Sequence, residues 1–323
     1  TVGYDGWGRK TSLHDPSAGN FSYQYNDYGE LLRETAPEGS TDYNYDDLGR
    51  LKKKTQKGSN THLVSTYTYD ATHKMLTQLT VKDRENSETL TYDYGYDDYE
   101  RPLSISESNA YASFSQTLDY DGLGRLETET RTSSLKSGGS QNITLSYGYA
   151  TNGSRNKISK DGKALWTLKA QNARGLSTQM LLGNGITKNR QYDALGYLDK
   201  IDDGKALSMS FGYLKSKGVM TSRSREVTET FNHDQRNRLT SFSNGSKVFR
   251  QSYDDYGRIA DNSRVGEYVY SQSSRYVLDS VTLSGPGAVY YKSHPKQEVA
   301  YNMDRKAVKV TEEGEGTADF RYN

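Results

Sequence analysis

The chain has 323 residues, with 42 basic and 41 acidic side chains, a formal net charge of +1 and no cysteine. Interspersed, balanced charge gives no field for nucleic acid or an anionic membrane surface, and without cysteine there are no disulfides or thiolate nucleophiles, which leaves the compartment open. Only 33% of residues are hydrophobic and the mean hydropathy is −0.93, while 28 tyrosines stand against 7 phenylalanines and 2 tryptophans, so burial must rest on phenol rings.

One pattern recurs along the chain: Tyr, Asp or Asn, two variable residues, Gly, then usually Arg. It is met at Tyr4-Asp5 to Gly8-Arg9, at Tyr25-Asn26 to Gly29-Glu30, and at Tyr45-Asp46 to Gly49-Arg50. It returns at Tyr120-Asp121 to Gly124-Arg125, at Tyr192-Asp193 to Gly196-Tyr197, and at Tyr253-Asp254 to Gly257-Arg258. Blurred copies begin at Tyr69-Asp70, Tyr96-Asp97, Tyr149, Phe231-Asn232, Tyr270, Tyr301-Asn302 and Tyr322-Asn323. The period is about 20 to 30 residues, as in a repeat array. Copies reach both termini, so residues 1–323 are expected to be a single array truncated at both ends.

Each copy reads as a β-hairpin. Residues before the turn alternate with period 2, as in Tyr23 and Tyr25, Tyr43 and Tyr45, or Tyr92, Tyr94 and Tyr96, which places rings on one sheet face. The Asp or Asn can accept backbone N–H groups two residues on, and the Gly supplies the positive φ that ends a type I turn with a bulge. After the turn, Arg50-Leu51, Arg125-Leu126 and Arg258-Ile259 restart a strand, with Arg expected to point outward and within reach of the turn Asp. Tyr69 to Lys74 and Tyr96 to Glu100 lack the turn Gly, which questions their hairpins. The polar stretches Lys57 to His62, Lys82 to Glu88, Ser133 to Gln141, Lys215 to Thr228 and Glu312 to Thr317 read as lengthened loops. Helical periodicity is nearly absent, and no apolar run approaches the roughly 18 residues of a membrane span.

The expected fold is therefore all-β: antiparallel hairpin repeats in one continuous, coiling sheet of roughly 25 to 30 strands, since an open sheet rarely stays flat beyond about ten. A β-propeller is the alternative fold, disfavoured by the irregular spacing of copies. At about 16 Å² per residue such a sheet covers roughly 5,000 Å², too little to close around a 100-residue domain. It reads as part of a wall.

The runs YDDLGRLKKKT at Tyr45 to Thr55 and YDGLGRLETET at Tyr120 to Thr130 resemble the YD or Rhs repeat, as does QNARG at Gln171 followed by LGNG at Leu182 and YDALGYL at Tyr192. The resemblance covers nearly the whole chain. It implies an internal part of a spiralling β-shell in a large secreted or cell-surface protein, such as a bacterial polymorphic toxin whose shell encloses a C-terminal effector. The partners so implied are the rest of the shell and the effector. The Asp-containing motif that serves self-cleavage in toxin members has no counterpart here, so no catalytic residue is carried over.

Other chemistry is weakly signalled. Acidic pairs such as Asp46-Asp47 and Asp254-Asp255 could suggest calcium or paired carboxylates, but turn capping accounts for the first acid and no DxDxDG loop occurs. Five scattered histidines show no HExxH spacing, and neither GxSxG nor GxxxxGK is found. No catalytic, cofactor or metal residue is assigned, and the expected role is structural, not enzymatic. Because rings beside polar groups also stack on sugars, a carbohydrate-binding or adhesion module is the rival function, with a glycan as ligand.

Overall fold

Strand formation follows from the alternation. In β3 (Gly19–Tyr25) the residues Phe21, Tyr23 and Tyr25 are half-buried while Asn20, Ser22 and Gln24 between them are exposed. The structure, a computed structural model, describes residues 1–16, 18–272, 278–294 and 296–322; Asn323 of the terminal Tyr322-Asn323 copy lies outside the described residues.

Twenty-six strands, from β1 (Val2–Tyr4) to β26 (Leu278–Leu283), form one unclosed sheet in which each strand pairs antiparallel with the next. This plain meander excludes the propeller, whose blades would break it into separate sheets. Beyond β26 the chain makes α1 (Gly285–Lys292), capped by Ser284 Oγ accepting from Gly287 N at 3.1 Å. A three-stranded sheet follows, built from β27 (Gln297–Tyr301), β28 (Ala307–Glu312) and β29 (Gly316–Asp319).

Several polar stretches taken for loops belong to strands. β6 (Leu51–Gly58) and β7 (Thr61–Tyr69) run on until only Ser59 and Asn60 separate them, and β20 (Val219–Ser224) lies wholly within Lys215 to Thr228. The reason is physical: a sheet wetted on one or both faces satisfies its backbone through the ladder, so a strand here needs little apolar content.

The sheet is thin. Among the described residues the buried apolar side chains are Val81 and Leu90, which face each other across adjacent strands. The accessible surface is 20921 Å², against roughly 13,000 Å² for a compact protein of this mass.

The two edges of the ribbon differ. Turns from odd- to even-numbered strands, which include every full copy of the tyrosine-aspartate motif, lie along one edge; turns from even to odd lie along the other and are plain hairpin tips. The three-stranded sheet returns to the start of the ribbon. The β27–β28 turn meets plain tips near the N-terminus: Asn60 Nδ2 donates to Tyr301 O at 3.0 Å, Met303 N to Thr61 Oγ1 at 3.4 Å, and an Arg305 guanidinium nitrogen to Ala18 O at 3.1 Å.

Candidate functional site

The turn at Asp46 shows the unit of construction. Its backbone closes with Gly49 N donating to Asp46 O and Asp46 N to Arg50 O, both at 2.9 Å, and the ladder slips register beside Tyr45 as a bulge requires. Asp46 Oδ1 accepts from Leu48 N at 3.0 Å and Arg50 N at 2.9 Å, while Oδ2 takes Arg50 Nε at 2.8 Å. One carboxylate thus satisfies two turn amides and orients one guanidinium.

That guanidinium is aimed along the edge and not outward. Arg50 lies 4.3 Å from the ring centroid of Tyr69, the tyrosine of the next motif, whose hydroxyl donates to Leu51 O at 2.9 Å. Successive motif tyrosines are two strands, about 10 Å, apart, too far for ring contact, and the arginine fills the gap. The expected row of mutually packed phenols is therefore a row of alternating arginine and tyrosine. Among the described residues the ring pairs within the sheet are Tyr197 with Tyr213 and Phe242 with Phe249.

The unit repeats. Arg9 pairs with Asp5 and sits 5.0 Å from Tyr25, whose hydroxyl reaches Lys10 O. Arg101 pairs with Asp97 and covers Tyr120 at 4.3 Å, with the Tyr120 hydroxyl on Pro102 O. Arg125 pairs with Asp121 and covers Tyr149 at 4.3 Å. Arg258 pairs with Asp254 and covers Tyr270 at 4.0 Å. Tyr253 is held the same way by Arg238, bonded to Asp234. The sequence reading placed that turn at Phe231-Asn232, two residues early, because His233 replaces Tyr and Asn237 replaces Gly.

Variants keep the turn with altered side chains. Asn26 inverts the polarity by donating from Nδ2 to Glu30 at 2.6 Å, and Tyr45 Oη reaches Leu31 O at 2.9 Å. At Asp193 to Gly196 the arginine is Tyr197, and Lys215 Nζ supplies the cation 2.9 Å from Asp193. Tyr192 has only a long contact, 3.4 Å, to Ser177 O. Tyr4, at the first motif, is mostly exposed.

Gly8, Gly29, Gly49, Gly124, Gly196 and Gly257 all have φ between 74° and 94°. At Gly49 and Gly124 there is a second constraint: a Cβ would come within 2.8 Å of Glu30 and 3.1 Å of Arg101, side chains of the preceding motif. Where Gly is absent, Lys74 and Glu100 take the left-handed place at φ 65° and 63°, so those hairpins form at some strain instead of failing.

The electrostatics follow. The arginine hydrogen bond, then the turn amides, hold the carboxyls of Asp46 and Asp121 below the usual aspartate value. Burial pushes the phenols of Tyr67 and Tyr69 up. In the acidic pairs Asp46-Asp47 and Asp254-Asp255 the second member is exposed, and among the described residues no group of three or more His, Cys, Asp or Glu could hold a metal ion. Two charge centres went unread in the sequence: Glu129, buried and accepting from Gln116 at 2.8 Å and Tyr147 at 2.5 Å, and buried Asp203, paired with the half-buried Arg190 at 2.5 Å.

Such an edge orders neighbours and binds backbone, which is the chemistry of a repeat wall. Residues 25–61 match the RHS Repeat family model, and the same turn recurs through the chain, which supports an Rhs/YD-repeat protein. No curated protein matches it. Among solved structures, TcdB2-TccC3-TEV aligns with a TM-score of 0.70 at 12% identity over 98% of this chain, and TcdB2-TccC3 at 0.60 and 15% over 98%. The Photorhabdus luminescens Tc holotoxin pore aligns at 0.59 and 15% over 100%. The chain spans about a fifth of the length of these solved chains, 21% in each case. At such identity the likeness establishes a shared fold.

Proposed function

We propose that this chain is one stretch of wall in a larger Rhs/YD shell, secreted or at a cell surface, and that the shell encloses or presents an effector domain. Residues 1–323 act as a single array within it, without enzymatic activity of their own, and the motif residues from Tyr4 to Arg258 serve to lock successive hairpins. One observation carries the reading. The sheet is held by an edge ladder in place of a core, so it can be thin, curved and wetted on both sides, as a container needs and a compact enzyme does not.

Small-angle X-ray scattering on the chain tests it. A compact chain of this length has a radius of gyration of about 20 Å; a curved wall gives a clearly larger value and a pair-distance curve depleted at its centre. A compact profile would refute the wall. Enclosure is tested in the longer protein: an effector inside the shell resists protease until the wall is unfolded.

The rival carbohydrate-binding reading loses most of its rings. Ladder tyrosines such as Tyr25 and Tyr69 already have a guanidinium on the face and a carbonyl on the hydroxyl, which leaves chiefly exposed turn rings such as Trp7, Tyr28 and Tyr99 for a sugar.

A further inference from the structure

The three-stranded sheet is tied to the ribbon by means that no strand of the ribbon uses. Among the described residues none of its strands pairs with the ribbon, and every residue of β27 and β29 is exposed. Burial is concentrated at the β27–β28 turn, where Asn302 and, across the contact, Thr61 are covered. The other anchor is α1. Ser284 N donates to Val265 O at 2.9 Å, and buried Gly287 leaves no room for a Cβ beside that same carbonyl, so the start of the helix is fixed to the ribbon.

The turn is adapted to this contact. In the copy that starts at Tyr301-Asn302, the place that glycine fills in the full motifs is taken by Arg305 at φ 60°. Strain kept at such a place is offset by what the side chain reaches. Lys74, in the same place of another turn, folds back to Ala71 O of its own turn, whereas Arg305 reaches Ala18 O at 3.1 Å, 287 residues away. Beside it Asn60 Nδ2 donates to Tyr301 O, and Arg321 pairs with Glu88 at the following tip. These bonds are polar, and water can replace each of them.

We infer that β27–β29 form a reversible latch: the sheet swings on α1 away from Ala18, Asn60 and Glu88, and the wall opens along this polar seam before any strand pair of the ribbon separates. Unpairing a strand breaks a row of backbone bonds. Releasing the latch exchanges a few side-chain bonds for water, and local openings of that kind lie at the low end of a protein's stability range. Arg305 is the residue that closes the latch, and the exposed Arg321–Glu88 pair makes it sensitive to salt. The inference rests on the ribbon being a curved wall and gives that wall a place to open. Failure of the wall would appear as a compact scattering profile, whereas failure here leaves the profile hollow and the seam shut.

Double electron–electron resonance tests it, since the chain has no cysteine to compete with introduced labels. Lys57→Cys with Glu315→Cys, both exposed, reports across the seam, and Lys57→Cys with Lys82→Cys reports within the ribbon. Across the seam a short distance should predominate, beside a longer one whose share grows in raised salt, while the distance within the ribbon stays single and fixed. Arg305→Gly with Arg321→Ala should convert most of the short population to the long one at unchanged circular dichroism. Because Arg305→Gly restores glycine at a left-handed position, it relieves strain in the turn, which separates lost contact from lost fold. Arg305→Lys with Arg321→Lys keeps both charges and should keep the short distance predominant. A seam distance that stays short in the Gly/Ala variant and in raised salt would overturn the latch. So would a long population that appears only together with a changed Lys57–Lys82 distance, because the ribbon would then be unpairing first.

Discussion

The two edges of the ribbon are built from the same strands yet closed by different chemistry. On one edge each turn is tied to the next: Asp121 holds Arg125, Arg125 covers Tyr149, and Tyr149 bonds back to Leu126 O at 2.8 Å. On the other edge a tip is capped locally, as where Asn109 caps the amides of Tyr111 and Ala112 at 2.9 Å, and it meets the next tip through backbone, Lys136 N donating to Tyr111 O at 2.7 Å. The difference teaches that the arginine–tyrosine coupling between hairpins runs along one edge, while the other is joined chiefly by backbone bonds. A sheet nearly without a buried apolar layer needs some other coupling between hairpins, and the charged ladder supplies it.

Acid should break that asymmetry most strongly, because it acts on every motif at once. The folded carboxyls of Asp46, Asp121 and Asp234 lie below their unfolded values, held there by arginine and backbone donors. Their contribution is complete above the unfolded value of about 4 and is lost as the pH falls through the lower folded values. Urea midpoints are therefore expected to drop steeply below about pH 4, and Asp121→Asn should lower the midpoint at pH 7 and flatten the acid drop. An acid limb unaltered by that substitution would detach the ladder from stability. At the alkaline end the sign reverses: the phenols of Tyr67 and Tyr69 are raised by burial, so stability holds below about pH 10 and fails as the pH rises further.

The next effect separates ring from hydroxyl. Tyr69→Ala removes a half-buried ring, its arginine contact and its bond to Leu51 O, and should cost about 2–3 kcal/mol, short of the 3–5 typical of a fully buried aromatic. Tyr69→Phe loses only the hydroxyl bond, about 1 kcal/mol. Both are read from chemical denaturation with matched slopes. Equal losses would place the whole contribution in the hydroxyl.

Much of this was legible in the sequence because the motif states its own local physics. Tyr45, Asp46, Gly49 and the alternation before them define strand, cap and bulge without any distant partner. What stayed hidden depends on neighbours in space. The arginine's target is a ring some 20 residues on, and only the paired strands bring it near. The Asp234 turn was obscured because turn geometry tolerates Asn237 at φ 62°, so the letters changed while the backbone did not. The meeting of Asn60 with Tyr301, 241 residues apart, is a contact that no local pattern records.

A glycine exchange tests the same asymmetry at finer scale. Gly124 has φ 76°, and its missing Cβ makes room for the Arg101 guanidinium that covers Tyr120. Gly124→Val should cost about 1–2 kcal/mol, because a β-branched residue resists the left-handed region. Gly124→Asn should cost about half as much, since asparagine visits that region readily, as Asn237 does here.

The smallest effect belongs to the plain edge. Tyr111 is 64% exposed and outside the ladder, so Tyr111→Ala should shift stability by no more than about 0.5 kcal/mol. The pair Gly124→Val and Tyr111→Ala compares the edges directly: similar losses in urea unfolding would mean that both edges bind the sheet together, and a ladder confined to one side would no longer explain why so thin a wall holds.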